Sequence, residues 1–132
     1  MRVLVMGCGK VGVLVAQSLA QEGHNVTVID EGPELLTSLP SDTSVEAIVA
    51  DGTSEADLRK AGIEVVEAFI AASESDNANA MAAQTARHLF HVPNVICIVG
   101  DPVRYEMYRQ MGLEAVCPTL VVLDMVLNEL GA

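Results

Sequence analysis

The stretch RVLVMGCGKVG, residues 2–12, decides the fold. Arg2 to Met6 is apolar at every position from Val3 onward, the pattern of a strand buried on both faces. Gly7-Cys8-Gly9-Lys10-Val11-Gly12 follows at once and fits G-x-G-x-x-G. That pattern alone is weak, because glycine is common. Here a buried strand precedes it and a helix, predicted over Lys10 to Glu22 and stopped by Gly23, follows it. Each glycine then has a task. Gly7 permits a tight turn, Gly9 lets a pyrophosphate approach the backbone, and Gly12 lets the helix pack close to the strand. The free amides and the helix dipole attract the phosphates.

The next strand, Asn25 to Asp30 (NVTVID), ends in an acid eighteen positions after Gly12. A carboxylate there accepts hydrogen bonds from ribose hydroxyls and repels a 2′-phosphate, so NADP is disfavoured. Its neighbour Glu31 is counted with the same site. Lys10 opposes the helix dipole unless it reaches a phosphate; a solvated side chain is the plain alternative. Cys8 fills the free motif position as a small residue. A thiolate stabilised by the helix start is the sharper reading of it.

Outward from this unit the chain keeps alternating. A short helix is predicted from Pro33 to about Leu39, a strand over Val45 to Val49, and a helix capped by Thr53 or Ser54 and stopped at Gly62. Then come a strand over Ala68 to Ala72, an Ala-rich helix over Asp76 to Phe90 and a strand over Asn94 to Val99. A helix over Pro102 to Met111, a strand over Ala115 to Cys117 and a last helix capped by Thr119 and reaching Leu130 complete the series. Six strands alternating with helices predict a Rossmann-type α/β fold. It has a doubly wound six-stranded parallel sheet, and residues 1–132 form a single domain.

Composition agrees. Half the residues are hydrophobic (51%), yet only two Phe and two Tyr occur and no Trp, so the core must be aliphatic. The net charge of −11 disfavours nucleic acid and anionic lipid alike. Three widely spaced cysteines suggest neither a disulfide framework nor a zinc site, and point to a reducing cytoplasm. The apolar start is too short for a signal peptide, and no stretch is long enough to insert in a bilayer. The last helix is apolar on most of its circumference, interrupted only by Asp124, Asn128 and Glu129. It either covers the sheet or meets a partner.

Across most of its length the chain resembles the N-terminal nucleotide-binding domain of the RCK/KTN (TrkA-N) regulators of potassium channels and transporters. The resemblance is carried by GCGKVG at 7–12, EGHNVTVID at 22–30 and DGTSEADLRKAGIEVVEAFIAASESDNANAMAA at 51–83. It continues in NVICIVGDP at 94–102 and MGLEAVCPT at 111–119. It implies a regulatory domain that binds NAD(H) or an adenine nucleotide (ATP, ADP or AMP). It also implies a homodimer that can close into a ring, and a membrane potassium transporter or channel as partner. The protein would then lie in the cytoplasm, at the inner face of the membrane through that partner. Position by position, Gly7, Gly9, Lys10, Val11 and Gly12 would hold phosphates and Asp30 the ribose. Asp51, Gly52 and Thr53 would line the adenine pocket, with Ala72 and Ser73 bordering the rest of the ligand. Asp76 and Asn79 match the family's acidic loop and asparagine. The helix at 119–130 would cross to the neighbouring protomer. The family often has arginine where Lys10 and Ile98 stand, and its C-terminal regulatory domain has no counterpart within these residues. A competing expectation is a small NAD-dependent oxidoreductase or a fragment of one. Against it, Tyr105 is followed four positions later by Arg109 rather than lysine, and nothing is placed for hydride chemistry.

Overall fold

Strand β1 (Arg2–Met6) lies at the centre of the molecule, between β2 (Asn25–Asp30) on one side and β4 (Ala68–Ala71) on the other. The structure is a computed structural model that describes residues 1–37, 39 and 44–132. Beyond β2 comes β3 (Glu46–Val49). Beyond β4 come β5 (Asn94–Ile98) and β6 (Ala115–Val116), giving the all-parallel order β3-β2-β1-β4-β5-β6. The predicted doubly wound sheet is the observed one. Because the order reverses between β1 and β4, the loops leaving these two strands diverge to opposite faces and open a crevice at their carboxyl ends.

Alternation along the strands divides the core into two layers. Val3 and Val5 of β1, Val26 and Val28 of β2, and Ala68 and Ile70 of β4 pack with Ala16 of α1 (Lys10–Gln21) on one face. Leu4, Met6, Ile29, Phe69 and Ala71 point to the other face, where they meet Leu58 of α3 (Glu55–Lys60) and the alanines of α4 (Asp76–Gln84). Alanines 80, 82 and 83 are buried there, and their small side chains let the α4 backbone lie close to the sheet.

Several boundaries differ from the expected ones. Helix α2 (Pro33–Leu36) is shorter than predicted, and part of its predicted extension lies outside the described residues. Ser54, not Thr53, caps α3, its hydroxyl accepting from the Asp57 amide at 3.2 Å. The Ala-rich helix does not stay α-helical to Phe90. From Thr85 to Leu89 it widens into a π turn, beginning where the Thr85 hydroxyl donates back to the Met81 carbonyl at 3.0 Å. After α5 (Pro102–Gln110) and β6, the last helix α6 runs from Pro118 to Leu130 with Cys117 at its N-cap. Thr119 is not that cap. Proline suits the first helical position because it lacks the amide that would otherwise go unpaired. The Thr119 hydroxyl instead donates to the Gly100 carbonyl at 2.7 Å.

No residue of α6 is buried. Val121, Val122, Leu123, Met125, Val126 and Leu127 are each at least 40% exposed, so the helix does not cover the sheet. On the α1 face of β5, the strand next to the edge, Ile96 and Ile98 stay only half-buried.

Candidate functional site

The glycine turn takes its shape from steric limits that act on the backbone. Gly7 has φ +107°, a left-handed conformation that side chains rarely adopt. A Cβ there would also lie 2.6 Å from the Ala72 carbonyl oxygen and the Ser73 amide. The turn after β1 and the loop after β4 therefore touch through backbone alone. Gly12, on the first turn of α1, faces the Gly7 carbonyl, and a Cβ there would lie 2.0 Å from that oxygen. Gly9 is different. The atom nearest to its ideal Cβ position is Glu74 Oε1 at 3.9 Å, so the space above its backbone is open. The first helical bond runs from the Val13 amide to the Gly9 carbonyl at 3.0 Å, so the amides of residues 10–12 precede the ladder.

Asp30 closes the other side of the turn. One carboxylate oxygen accepts from the Cys8 amide at 2.9 Å, the other from the Gly32 amide at 2.8 Å. The acid expected to meet a ribose thus also fastens the end of β2 to the glycine turn. At the end of β3, Asp51 accepts from the amide and hydroxyl of Thr53 at 2.8 and 2.6 Å. The Asp51 amide in turn donates to Asp57 at 2.8 Å. The Thr53 hydroxyl and amide hold the Asp51 carboxyl below its ordinary value. The negative charge of Asp51 is the largest cause pushing the Glu31 carboxyl up, aided by some desolvation.

These groups line one cavity of about 520 Å³ at the carboxyl ends of the strands, a size that suits a nucleotide. It brings together Gly7, Cys8, Gly9, Asp30, Glu31, Asp51, Gly52, Thr53 and Ser73 from the sequence-derived set. Lys10, Val11, Gly12, Ala72 and Asn79 are not among its lining residues. Gly12 and Ala72 shape it from behind, through the contacts with Gly7. Asn79 is fully buried, and all its hydrogen-bonding capacity is used within the fold. Its Oδ1 accepts from the Ser73 amide (2.9 Å) and hydroxyl (2.6 Å); its Nδ2 donates to the Ser73 and Ile98 carbonyls, both at 2.9 Å. It sets the β4 loop against β5. Lys10 sits exposed at the start of α1, and Cys8 is buried. Burial pushes the Cys97 thiol up to about 11, as suits a core cysteine.

Sequence reasoning missed Met6, Ile29 and Ala50, which form the apolar floor, and Glu74, Ser75 and Ala78 on the β4 side. A signal for the first three was present. Each lies at or just after the carboxyl end of one of the first three strands, on the side where an α/β sheet opens its crevice.

The description "TrkA-N domain" belongs to the family model that matches residues 3–119. The chain belongs to the TrkA-N domain family. A relative of this TrkA-N domain is the Trk system potassium uptake protein TrkA of Streptomyces coelicolor, 40% identical over 130 residues. The match covers 98% of the chain and 58% of that relative, and the chain spans about half the length of the curated relatives it matches. Among solved structures it is similar to the TrkA-N domain of the inner membrane protein ybaL from Escherichia coli, with a TM-score of 0.86 and 18% identity. That match covers 98% of this chain and 96% of the other. It is similar also to the GsuK channel bound to NAD, with a TM-score of 0.73 and 22% identity, covering 87% of this chain and 21% of that one. At these identities the two structures show the fold, which the TrkA-N domain shares with them.

Proposed function

We propose that this TrkA-N domain is a nucleotide-sensing regulator of a potassium uptake system, not an enzyme. In this reading NAD(H) or an adenine nucleotide lies in the switch-point cleft. The observation that carries it is the pairing of an open Gly9 backbone with Asp30 in one cavity. A diphosphate can lie on the amides at the start of α1 while the ribose hydroxyls donate to Asp30, and adenine reaches Asp51, Gly52 and Thr53 over the Met6–Ile29–Ala50 floor. Potassium uptake follows from the Streptomyces coelicolor relative. Binding of NAD is a property of the GsuK channel that the cleft here is built to share.

Regulation needs a path from the cleft to a partner, and contiguous contacts supply one. The lining loop at Ser73 to Ser75 leads into Asp76, whose carboxylate accepts from the Gly100 and Asp101 amides at 2.8 and 3.1 Å. The Gly100 carbonyl accepts from Thr119 at the root of α6. Ligand that favours one setting of the loop would shift the population of α6 positions. The exposed apolar face of α6 fits a second copy of the chain, whose half-buried Ile96 and Ile98 await cover. A homodimer, able to extend to a ring beside a membrane transporter at its cytoplasmic side, accounts for both surfaces.

Titration calorimetry with NADH and NADPH tests the site. NADH is expected to bind, and NADPH on the order of tenfold more weakly, because its 2′-phosphate meets Asp30 and Glu31. Asp30→Asn should narrow that gap. Equal affinities for the two cofactors in the unaltered protein would refute the assignment of Asp30. Steady turnover of NADH with a carbonyl substrate would favour the oxidoreductase reading instead. A chain that sediments as a monomer at high concentration would refute the pairing through α6.

A further inference from the structure

Four carboxylates line the cleft, from Asp30, Glu31, Asp51 and Glu74, and no lysine or arginine does so among the described residues. Three of them cluster at the ends of β2 and β3, where sugar and base would lie. Glu74 stands apart. It follows β4, on the opposite wall, and its Oε1 is the atom that comes nearest to the open position above Gly9, at 3.9 Å. A carboxylate therefore overhangs the open Gly9 backbone, where a phosphate would lie. The positive potential available there comes from the start of α1, worth about half a unit charge. One full negative charge from Glu74 outweighs it, and each phosphate added to a ligand meets the imbalance again.

We propose that Glu74 makes the cleft a charge filter, which ranks nucleotides by their phosphate charge and prefers AMP or the pyrophosphate diester of NAD to metal-free ADP and ATP. The inference rests on the nucleotide reading of this cleft and deepens it. Glu74 is exposed and sits on a loop whose shape is fixed by Asn79 and Ser73, so its side chain can be neutralised without disturbing the fold. At a separation near 4 Å in a high dielectric, removing one repulsive unit charge changes a binding constant by roughly fivefold. Because the site is open to solvent, salt should erode the effect. A divalent cation that neutralises the ATP tail should do the same.

The experiment is calorimetry with AMP, ADP and ATP in a chelating, low-salt buffer, on the unaltered chain and on Glu74→Gln, with thermal melts to verify folding. In the unaltered chain the affinity should fall from AMP to ADP to ATP. Glu74→Gln should tighten AMP by roughly fivefold and ATP by more, and magnesium or high salt should shrink the difference. ATP binding as tightly as AMP without metal would overturn the filter, as would a Glu74→Gln effect equal for all three ligands. If AMP, ADP, ATP and NADH all fail to bind either protein, the nucleotide reading itself is wrong and the filter falls with it. Those outcomes are distinct from one in which the ligands bind but are not ranked by charge.

Discussion

Replacing Gly12 by alanine puts a single methyl group against the main chain. The added Cβ would lie 2.0 Å from the Gly7 carbonyl oxygen and 2.9 Å from its carbon. Ordinary contact starts at 3.4 Å, so the helix or the turn must give by more than 1 Å. Neither yields readily. Gly7 is already in a left-handed conformation against Ala72 and Ser73, and α1 packs Ala16 into a filled layer with Val3 and Val28. Overpacking of this kind costs about 1–3 kcal/mol, and the upper end applies because the obstacle is backbone. Alanine returns about 1 kcal/mol through its better helix propensity. The net expectation is a loss of about 2 kcal/mol, read as a lower urea midpoint at unchanged slope and a fall in Tm of roughly 8 °C. Gly9→Ala is the matched control. Its Cβ meets only Glu74 at 3.9 Å, so stability should change by less than about 1 kcal/mol while nucleotide affinity drops. A Gly12→Ala protein as stable as the unaltered chain would refute the steric account of the third glycine. Equal loss of stability in the two variants would refute the division of labour between them.

Asn79→Ala should be at least as damaging, by about 3 kcal/mol, because it leaves the Ser73 and Ile98 groups it now satisfies buried without partners. A thermal melt within roughly 3 °C of the unaltered protein would show that water or a repacked loop replaces it. Stability should also depend on pH through the Glu31–Asp51 pair. Asp51, held below its ordinary 3.8, contributes stability above that pH and loses it as pH falls. Glu31 is raised above 4.5, so charging it beside Asp51 removes stability as pH climbs through the interval above 4.5. Urea midpoints measured across pH should therefore decline above that value in the unaltered chain, and Glu31→Gln should flatten the decline. The same decline in Glu31→Gln would assign it to other acids.

Much of this molecule could be read from order along the chain. The βα alternation, the glycine spacing and the acid at the end of β2 are local patterns, and each reports a local constraint: burial on both faces, a left-handed turn, a strand end. Those constraints imply a parallel sheet with right-handed crossovers, and the count of six strands matches the doubly wound order. Boundaries were less legible because competing groups settle them. Thr119 is a plausible cap by type, yet Pro118 claims the first helical position and Gly100 claims the Thr119 hydroxyl. Nothing in the run TARHL announces a π turn.

The tertiary structure alone decided which polar residues face the cleft and which hold it up. In the sequence Asp30 is expected to meet a ribose, and Asn79 matches an asparagine of the family that the chain resembles. The fold commits every donor and acceptor of Asn79 to groups of Ser73 and Ile98, while Asp30 stays in the cavity wall. It likewise placed Glu74 above Gly9 and left α6 uncovered, facts that depend on loops brought together across the sheet. Sequence periodicity records which face of a segment is apolar. It does not record which distant backbone group a side chain will meet.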